Sequence, residues 1–453
     1  MSRLVLTFFV LFWSVLLCVG LLGAVMQDRT LPLPDSLQVK LHAAINSKSN
    51  IPNITFDRVE VGLTGWLHPK LILSSAQFSN FETGTGVRFG TLDVVFDGPA
   101  LFLGNIAPKS VRLSDANFDI TRKKNGSFDF GFDILYGADA IFSIDDALAQ
   151  TEAFFGQTEF SSLESGQLDQ LTVNYVDRIN NRAWTFDGGS VSALRAGGVL
   201  NLRGDLALLT GGGDVATLGL FYDGKALGEG SLGAEFSNLP AQDLALQSPA
   251  LTWLSLINGN LSGSFRSTRA LGRLGVLNAI LDFGQGTLIA GPSRIPIAYS
   301  EAKTYFSYLP SPGRLDIARV SVQSDWGALS ADGYALLESD LANDMSSSGM
   351  VLHLNVEDSV LMDTPWWQDP VTVSKASSQL KINYDPLQID VGQFQAEVNG
   401  AQFSMSGKAN LEPLGWSFNL LGRAPALGAN NVISLWPENL KPKSRRWFEG
   451  NVK

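Results

Sequence analysis

The chain of 453 residues carries 33 Lys and Arg against 44 Asp and Glu, a net charge of −11, and a single cysteine. This acidic balance argues against a nucleic-acid partner, which needs clustered basic side chains, and one cysteine cannot form an intramolecular disulfide. Only 17% of the residues are charged and the mean hydropathy is +0.09, so we expect a large apolar surface that faces something other than water.

The first element is an apolar run from Leu4 to Met26 that contains no charged side chain. Its roughly 23 residues would span about 35 Å as a helix, enough to cross the hydrocarbon core of a bilayer. Arg3 precedes the run and favours a cytoplasmic N-terminus, which in a bacterium would leave the remainder in the periplasm. The sequence predicts a single-pass inner-membrane anchor, and a signal peptide cleaved after Ala24 is the alternative. The predicted anchor residues include Leu4, Phe8, Phe12, Trp13, Leu16, Leu21 and Met26.

A stiff spacer, Leu31–Pro34, and a short helix are predicted next. Asp35 or Ser36 can cap this helix, and its apolar side chains recur on one face. Two further helices are predicted, one that begins at Ser143 and runs towards Phe155, and one over Pro249–Leu254.

Elsewhere the apolar residues recur with a period of two, which is typical of half-buried strands. The clearest cases are Val59/Val61/Leu63, Leu92/Val94/Phe96, Leu171/Val173/Tyr175, Leu218/Leu220/Tyr222, Thr304/Phe306/Tyr308, Val320/Val322, Leu352/Leu354/Val356, Leu380/Ile382/Tyr384 and Trp416/Phe418/Leu420. Turn sequences separate them, among them Asn180-Asn181, Gly211-Gly212-Gly213, Pro312-Gly313, Asp385-Pro386 and Asn399-Gly400.

We therefore predict a mainly β fold: an N-terminal transmembrane helix, then an elongated, curved antiparallel sheet with a few short helices. Its apolar faces could close into a sandwich, or a concave apolar side could stay open. The predicted segments are the anchor at 1–30, an N-terminal β segment at 31–136, a middle segment at 137–262 and a C-terminal segment at 263–453.

No catalytic, cofactor-binding or metal-binding residues are predicted. The three histidines, His42, His68 and His353, lack the spacing of a metal site, and no nucleotide-binding or nucleophile motif occurs. Asp145-Asp146 fits the first turn of a helix better than a pair of catalytic carboxylates. Trp366-Trp367 is interpreted as a buried aromatic pair, with a membrane-interface or ligand platform as the alternative.

If the sheet forms an open apolar groove, the apolar side chains that alternate along its strands are the candidates to line it. A register shift of one residue would reverse every side chain, so the inward phase itself is open. The candidate lining residues are Leu92, Val94, Phe96, Leu171, Val173, Tyr175, Leu218 and Leu220.

Several segments resemble the AsmA-like family of bacterial envelope proteins, and within it the long YhdP-type branch. Two hairpin-like passages contribute, one from Val111 to Phe128 and one from Leu171 to Trp184. The most specific resemblance lies in Val432–Pro437 and Pro442–Phe448, which contain Trp436, Pro437, Arg445, Arg446 and Trp447. In that family a long β region follows such a segment, so we expect this chain to be an N-terminal portion of a longer one.

The resemblance implies a function as well as a fold. The family is similar to TamB and to the chorein-type bridge-like lipid-transfer proteins, whose repeating, taco-like β-grooves carry acyl chains past water. It implies membrane phospholipids as partners, together with an outer-membrane or periplasmic protein. We expect a non-enzymatic phospholipid conduit between the inner and outer membranes. The alternatives are a non-catalytic envelope assembly or structural scaffold protein and, third, a periplasmic glycan hydrolase.

Overall fold

The strands and helices below are those of a computed structural model. It describes residues 29–46, 53–65, 68–79, 86–124, 128–129, 162–209, 215–226, 228–246, 254–270, 273–289, 296–338, 349–362, 367, 369–384, 386–412, 415–436 and 441–452. Strands make up 71% of it, which confirms a mainly β fold. The chain divides into two compact units, Met1–Gly230 (unit 1) and Ser231–Lys453 (unit 2). The four predicted segments stay a prediction.

The described residues of unit 1 form paired strands and two helices. The strands are β1 (Thr30–Pro32), β2 (Asn53–Thr55), β3 (Arg58–Thr64), β4 (His68–Ser79), β5 (Gly86–Phe96), β6 (Pro108–Ser114), β7 (Asn117–Arg122), β8 (Phe128–Asp129), β9 (Ser165–Asp177), β10 (Arg182–Ala196), β11 (Val199–Leu209) and β12 (Val215–Ala226). The helices are α1 (Asp35–Asn46) and α2 (Gly98–Phe102).

The predicted first helix is confirmed as α1, but the predicted spacer before it is wrong in part. Leu31 and Pro32 belong to β1, which pairs with β3. Pro34 then ends this extended stretch, and its carbonyl accepts hydrogen bonds from the backbone N–H groups of Leu37 and Gln38 at 2.8 and 3.1 Å. Since these donors lie in the first turn of α1, Pro34 marks the helix start.

The prediction of a purely antiparallel sheet is also wrong at one strand. Strand β9 runs parallel to β6, where Leu113 lies opposite Leu168, and parallel to β7, where Phe118 lies opposite Val173. A parallel pair needs a crossover of a dozen or more residues, and residues 130–164 between β8 and β9 are long enough to provide it. Periodicity detects a strand but not the direction of its partner, so the sequence pattern missed this arrangement.

Two clusters of buried apolar residues lie in the described part of unit 1. One contains Ile54, Val59 and Leu73, and Leu41 of α1 packs against it. The other contains Phe89 and Leu171. Helix α1 therefore covers part of the apolar face of the sheet.

Unit 2 repeats long hairpins along the chain. Its strands are β13 (Glu229–Pro240), which starts at the division, β14 (Ile257–Ala270), β15 (Arg273–Asp282), β16 (Gly286–Leu288), β17 (Ile297–Leu309), β18 (Arg314–Ser324), β19 (Gly327–Leu337), β20 (Gly349–Leu361), β21 (Val371–Tyr384), β22 (Leu387–Val398), β23 (Ala401–Glu412) and β24 (Gly415–Arg423). Its helices are α3 (Ala241–Ala245), α4 (Ala429–Leu435) and α5 (Pro442–Asn451). From β17 to β24 each strand pairs antiparallel with the next.

The predicted turns fall between paired strands. Asn399 and Gly400 join β22 to β23 with φ values of 47° and 76°, the left-handed pair that a two-residue hairpin of this type requires. Pro312 and Gly313 lie between β17 and β18. The glycines at 211–213 lie between β11 and β12 but outside the described residues.

Several predictions concern parts of the chain that are not described. The anchor Leu4–Met26, the helix from Ser143 to Phe155, most of Pro249–Leu254 and Trp366 all lie outside the described residues. Within the described part, no helix is both long enough and apolar enough to span a bilayer.

Candidate functional site

A half-open apolar cavity of about 720 Å³ lies in unit 2. Strands β17–β19 supply most of its wall, with β14, β15, β16, β20 and β21 contributing one or two residues each. Its volume falls within the range of about 300–1,000 Å³ that small-molecule sites occupy. Its wall includes Phe283, Phe306, Ile317, Val322, Leu329 and Met350.

Strand register brings these side chains onto one face. Phe306 of β17 lies opposite Ile317 of β18, and Thr304 lies opposite Val320. Ile317 and Val320 are three residues apart, so strict alternation would place them on opposite faces. An extra residue in β18 between them, Ala318, forms a bulge that returns Val320 to the cavity side.

The same strands also carry ion pairs, and one of the residues involved, Lys303, contributes to the cavity wall as well. Lys303 lies 2.5 Å from Glu301 and 3.4 Å from Asp282, and Lys381 lies 2.8 Å from Glu338. The hydrogen bond to Glu301, followed by that to Asp282, raises the pKa of Lys303, and the bond to Glu338 raises the pKa of Lys381. Charged and apolar side chains thus lie close together on these strands, and the cavity wall is mostly but not wholly apolar.

Tyr299 is one of several polar residues in the cavity wall, which also includes Lys303, Thr304, Ser321 and Ser324. The Tyr299 side chain is buried, with 8% of the residue exposed, and its hydroxyl is buried without a hydrogen-bond partner. Burial raises the pKa of this phenol, so it stays neutral well above physiological pH. An unpartnered buried hydroxyl costs stability.

The apolar face continues along unit 2 beyond the cavity. On β22 and β23, Ile389 lies opposite Ala409, and Ala409 in turn lies opposite Phe418 of β24. Phe418 and Leu420 are 64% and 41% exposed. The face is therefore open to solvent at β24, where a soluble core would be covered.

A second depression, of about 550 Å³, involves the strands β20–β23. Its wall mixes apolar residues with charged and amide side chains, among them Glu357, Lys375, Gln395 and Glu397. This mixed lining does not form an apolar site. Among the described residues, no group of three or more His, Cys, Asp or Glu side chains could hold a metal ion.

The eight candidate lining residues predicted from sequence all lie in unit 1, and none of them lines this cavity. Leu92 and Leu171 are buried in the two core clusters, at 8% and 5% exposure, and Val94 and Val173 pack against them. Phe96 is half-buried at the end of β5. Their role as a lipid lining stays a prediction.

The remaining candidates are more open. Tyr175 stacks on Trp184 across the β9–β10 pair, with ring centroids 5.4 Å apart. Leu218 lies opposite Leu206, whereas Leu220 lies opposite Gly204 and is 45% exposed. A glycine partner leaves Leu220 without a neighbouring side chain on that strand, which explains its exposure.

The C-terminal motif forms two short helices, α4 and α5. Trp436 follows α4, and its ring lies 6.0 Å from that of Phe448 in α5, while Trp367 donates a hydrogen bond from Nε1 to the carbonyl of Leu435 at 2.9 Å. Arg445 pairs with Glu449 one turn later at 2.9 Å. Arg446 donates to the carbonyl of Pro442 at 3.4 Å, and Trp447 is 65% exposed; Pro437 lies outside the described residues.

Sequence reasoning did not single out the cavity residues, although their alternation was visible. Thr304/Phe306/Tyr308 and Val320/Val322 look no different from the strands of unit 1 in sequence. What separates them is whether other side chains cover the face, which alternation does not report. Leu329 and Met350 carried no distinguishing signal at all.

Comparison of the chain with protein-family models, with curated proteins and with solved structures finds no match. The family resemblance therefore remains a proposal.

Proposed function

We propose that this protein is an inner-membrane-anchored periplasmic protein that shields acyl chains in an apolar β-groove and carries phospholipid between the inner and outer membranes. The observation that carries the proposal is the half-open apolar cavity of unit 2. The proposed groove is a long, curved, mostly antiparallel sheet of the AsmA-like type, in which the face lined by Phe306 and Ile317 takes the lipid tails.

The energetics of such a groove follow from the hydrophobic effect. Each methylene group that leaves water gains about 0.8 kcal/mol, so even part of an acyl chain would be held without a specific polar contact. A half-open wall covers the tail while the charged head group stays in solvent, which avoids the cost of burying that charge.

The charged residues of these strands are compatible with the same assignment. The side chains of Lys303 and Lys381 are 33% and 48% exposed, so in the proposed groove their charges stay in water while lipid tails contact the apolar side chains of the wall. No energy source is part of the proposal, and the direction of net lipid flow would have to come from the membranes or from a partner protein.

The test uses two adjacent aromatic residues of β17 that point to opposite faces. Phe306 lines the cavity, whereas Tyr305 lies opposite Arg319 and is 39% exposed. Each is replaced in the full chain by the photoreactive residue benzoyl-phenylalanine, and cells or vesicles containing radiolabelled phospholipid are irradiated. We expect lipid adducts at position 306 and few at 305. Equal capture at both positions would overturn the proposal.

One observation favours the scaffold alternative. The clusters around Val59 and Phe89 in unit 1 are packed cores rather than open walls. A scaffold whose apolar faces are all filled would carry no lipid, and native mass spectrometry of the purified chain would then show the bare protein mass. Bound phospholipid that is lost on Phe306→Asp but kept on Tyr305→Asp would exclude it.

A further inference from the structure

Helix α2 and the turn after it expose a compact set of large apolar side chains. Leu101, Phe102, Leu103 and Ile106 are 39%, 78%, 82% and 74% exposed. We refer to these four residues as the 101–106 cluster. They lie in an uncharged stretch that extends from Gly98 to Pro108. Such a dense apolar projection is unusual on a surface that faces only water.

The cluster lies at a defined end of the unit 1 sheet. Strand β5 ends at Phe96, next to Val95, which lies opposite Lys70 near the start of β4. The start of β4 at His68 lies opposite the end of β3 at Thr64. The end of β3 in turn lies beside the start of β1, where Thr30 is opposite Gly62. The beginning of β1, the end of β3, the beginning of β4 and α2 therefore share one end of the sheet.

A side-chain contact holds α2 at this end. The Nδ1 atom of His68 accepts a hydrogen bond from the backbone N–H of Gly98, the first residue of α2, at 3.2 Å. The same atom lies 3.2 Å from the carbonyl oxygen of Phe96. Through the hydrogen bond from Gly98, His68 joins the start of α2 to the start of β4, and the sheet sets the position of the cluster.

The apolar run of the N-terminus ends close to this same sheet end. Gln27, Asp28 and Arg29 separate Met26 from Thr30, the first residue of β1, so the run ends within about 14 Å of β1 at full extension. Three strand spacings separate β1 from β5, or about 14 Å along the edge of the sheet. A bilayer that receives Leu4–Met26 would therefore lie beside the 101–106 cluster.

We infer that the 101–106 cluster inserts into the interface of the bilayer that holds the N-terminal segment. The cluster gives unit 1 a second membrane contact and so fixes its orientation, which a single tether cannot do. Two observations favour a bilayer over a protein partner. The stretch from Gly98 to Pro108 has no charged side chain that could pair with another protein. It also lies at the end of the sheet where the apolar N-terminal run joins β1. The apolar face of a helix that lies in the membrane interface is buried about 5–10 Å into the headgroup and acyl boundary, and we expect a similar depth for the cluster.

Depth-dependent quenching tests this inference on the full chain. Cys18 is replaced by serine, and a single cysteine is introduced by Phe102→Cys and labelled with the environment-sensitive dye NBD. The matched control is Arg88→Cys, an exposed position near the opposite end of the same strand, β5. Both chains are reconstituted in phosphatidylcholine vesicles with and without doxyl-labelled lipid, after circular dichroism has shown equal β-sheet content.

We expect a blue-shifted emission at position 102 with at least twofold quenching by doxyl lipid, and neither effect at position 88. Equal quenching at the two positions, or none at 102, would overturn the inference. A blue shift at 102 without doxyl quenching would also overturn it, because it would mean that the cluster packs against protein such as a second copy of the chain. Leu103→Cys repeats the measurement if Phe102→Cys lowers the β-sheet content.

This result is independent of lipid capture in unit 2. Quenching at 102 without cross-linking at 306 would support membrane contact and reject the conduit, and the reverse outcome would reject only the inserted cluster. A triple change of Phe102, Leu103 and Ile106 to serine should abolish any protection of this segment from added protease in vesicles and leave cross-linking at 306 unchanged.

Discussion

Tyr299 lies across Gly259 in unit 2, with its hydroxyl 2.7 Å from the place that a β-carbon on this glycine would occupy. The tyrosine ring fills the space that the missing side chain leaves at the margin of the cavity. The hydroxyl has no hydrogen-bond partner there. The packing of the ring, and not a hydrogen bond, therefore determines the position of the hydroxyl.

Gly259→Ala should lower the free energy of unfolding by about 1–3 kcal/mol, because the added methyl group would overlap the hydroxyl of Tyr299. The cost should be smaller in a Tyr299→Phe background, where the overlapping oxygen is absent. Urea denaturation of the single and double variants measures this coupling. Gly166→Ala is the control, since nothing lies within 4 Å of its β-carbon position; an equal loss there would contradict the explanation.

The buried phenol of Tyr299 should also make stability depend on pH in the alkaline range. Burial raises its pKa above the ordinary value of 10.0, so the unfolded chain loses this proton first as the pH rises. Stability is then fully present below about pH 10 and declines as the pH rises towards the folded pKa. Urea midpoints at about pH 8 and pH 11 should show a smaller decline in Tyr299→Phe than in the unchanged protein. Identical declines in the two proteins would contradict this prediction.

Two ion pairs across the parallel strands of unit 1 should differ widely in their effect on stability. Asp177 is fully buried; its carboxylate accepts hydrogen bonds from the backbone N–H groups of Ile179 and Asn180 at 2.9 and 3.2 Å, and it lies 3.4 Å from Arg122. Asp177→Ala should cost about 3–5 kcal/mol, because it leaves a half-buried guanidinium without its carboxylate and a turn without its acceptor.

The comparison for this pair is Asp169→Ala, which removes the contact with Arg112 at 2.6 Å. The Arg112 side chain is 55% exposed, so this loss should be about 1 kcal/mol or less. Thermal denaturation followed by circular dichroism compares the two. A loss at Asp169 as large as that at Asp177 would mean that burial does not control these interactions.

Two leucines of β19 offer a matched test of the cavity. Leu329 and Leu336 are 39% and 40% exposed, but Leu329 lines the cavity whereas Leu336 lies opposite Arg314 on the other face. Leu329→Gln should weaken binding of a fluorescent fatty acid by about 5–30-fold, since it removes about 1–2 kcal/mol of apolar contact. Leu336→Gln should leave the affinity unchanged. Equal effects of the two changes would show that the cavity is not the binding surface.

Much of the local structure could be predicted from the sequence, for specific reasons. Alternation at Thr304/Phe306/Tyr308 and Leu380/Ile382/Tyr384 predicts strands because successive side chains in a strand point to opposite faces. Asn399-Gly400 predicts a tight hairpin because both residues adopt positive φ angles readily. Helix α1 could be predicted from its apolar spacing and polar start.

Other features had no local signature. The parallel pairing of β9 depends on which strands meet across residues 130–164. Helix α2 is only five residues long, and the proline in its first turn was not used as a start signal. The bulge at Ala318 shifts the alternation of β18 by one residue, and no turn residue marks it in the sequence. Counting every second residue from Ile317 would therefore assign the following side chains to the wrong face. The candidate lining was placed in unit 1 for the same reason: alternation identifies an apolar face but not its cover.

The sequence by itself determined that the described chain is rich in strands with one apolar face, that it is acidic, and that it carries an N-terminal run long enough to cross a bilayer. Only the tertiary structure decided which apolar residues are covered and which are open. Leu92 and Leu171 are buried in unit 1, whereas Phe306 and Leu329 line a cavity in unit 2. The physical reason is that alternation is a property of each strand alone, whereas exposure depends on the side chains that distant strands and helices bring against it.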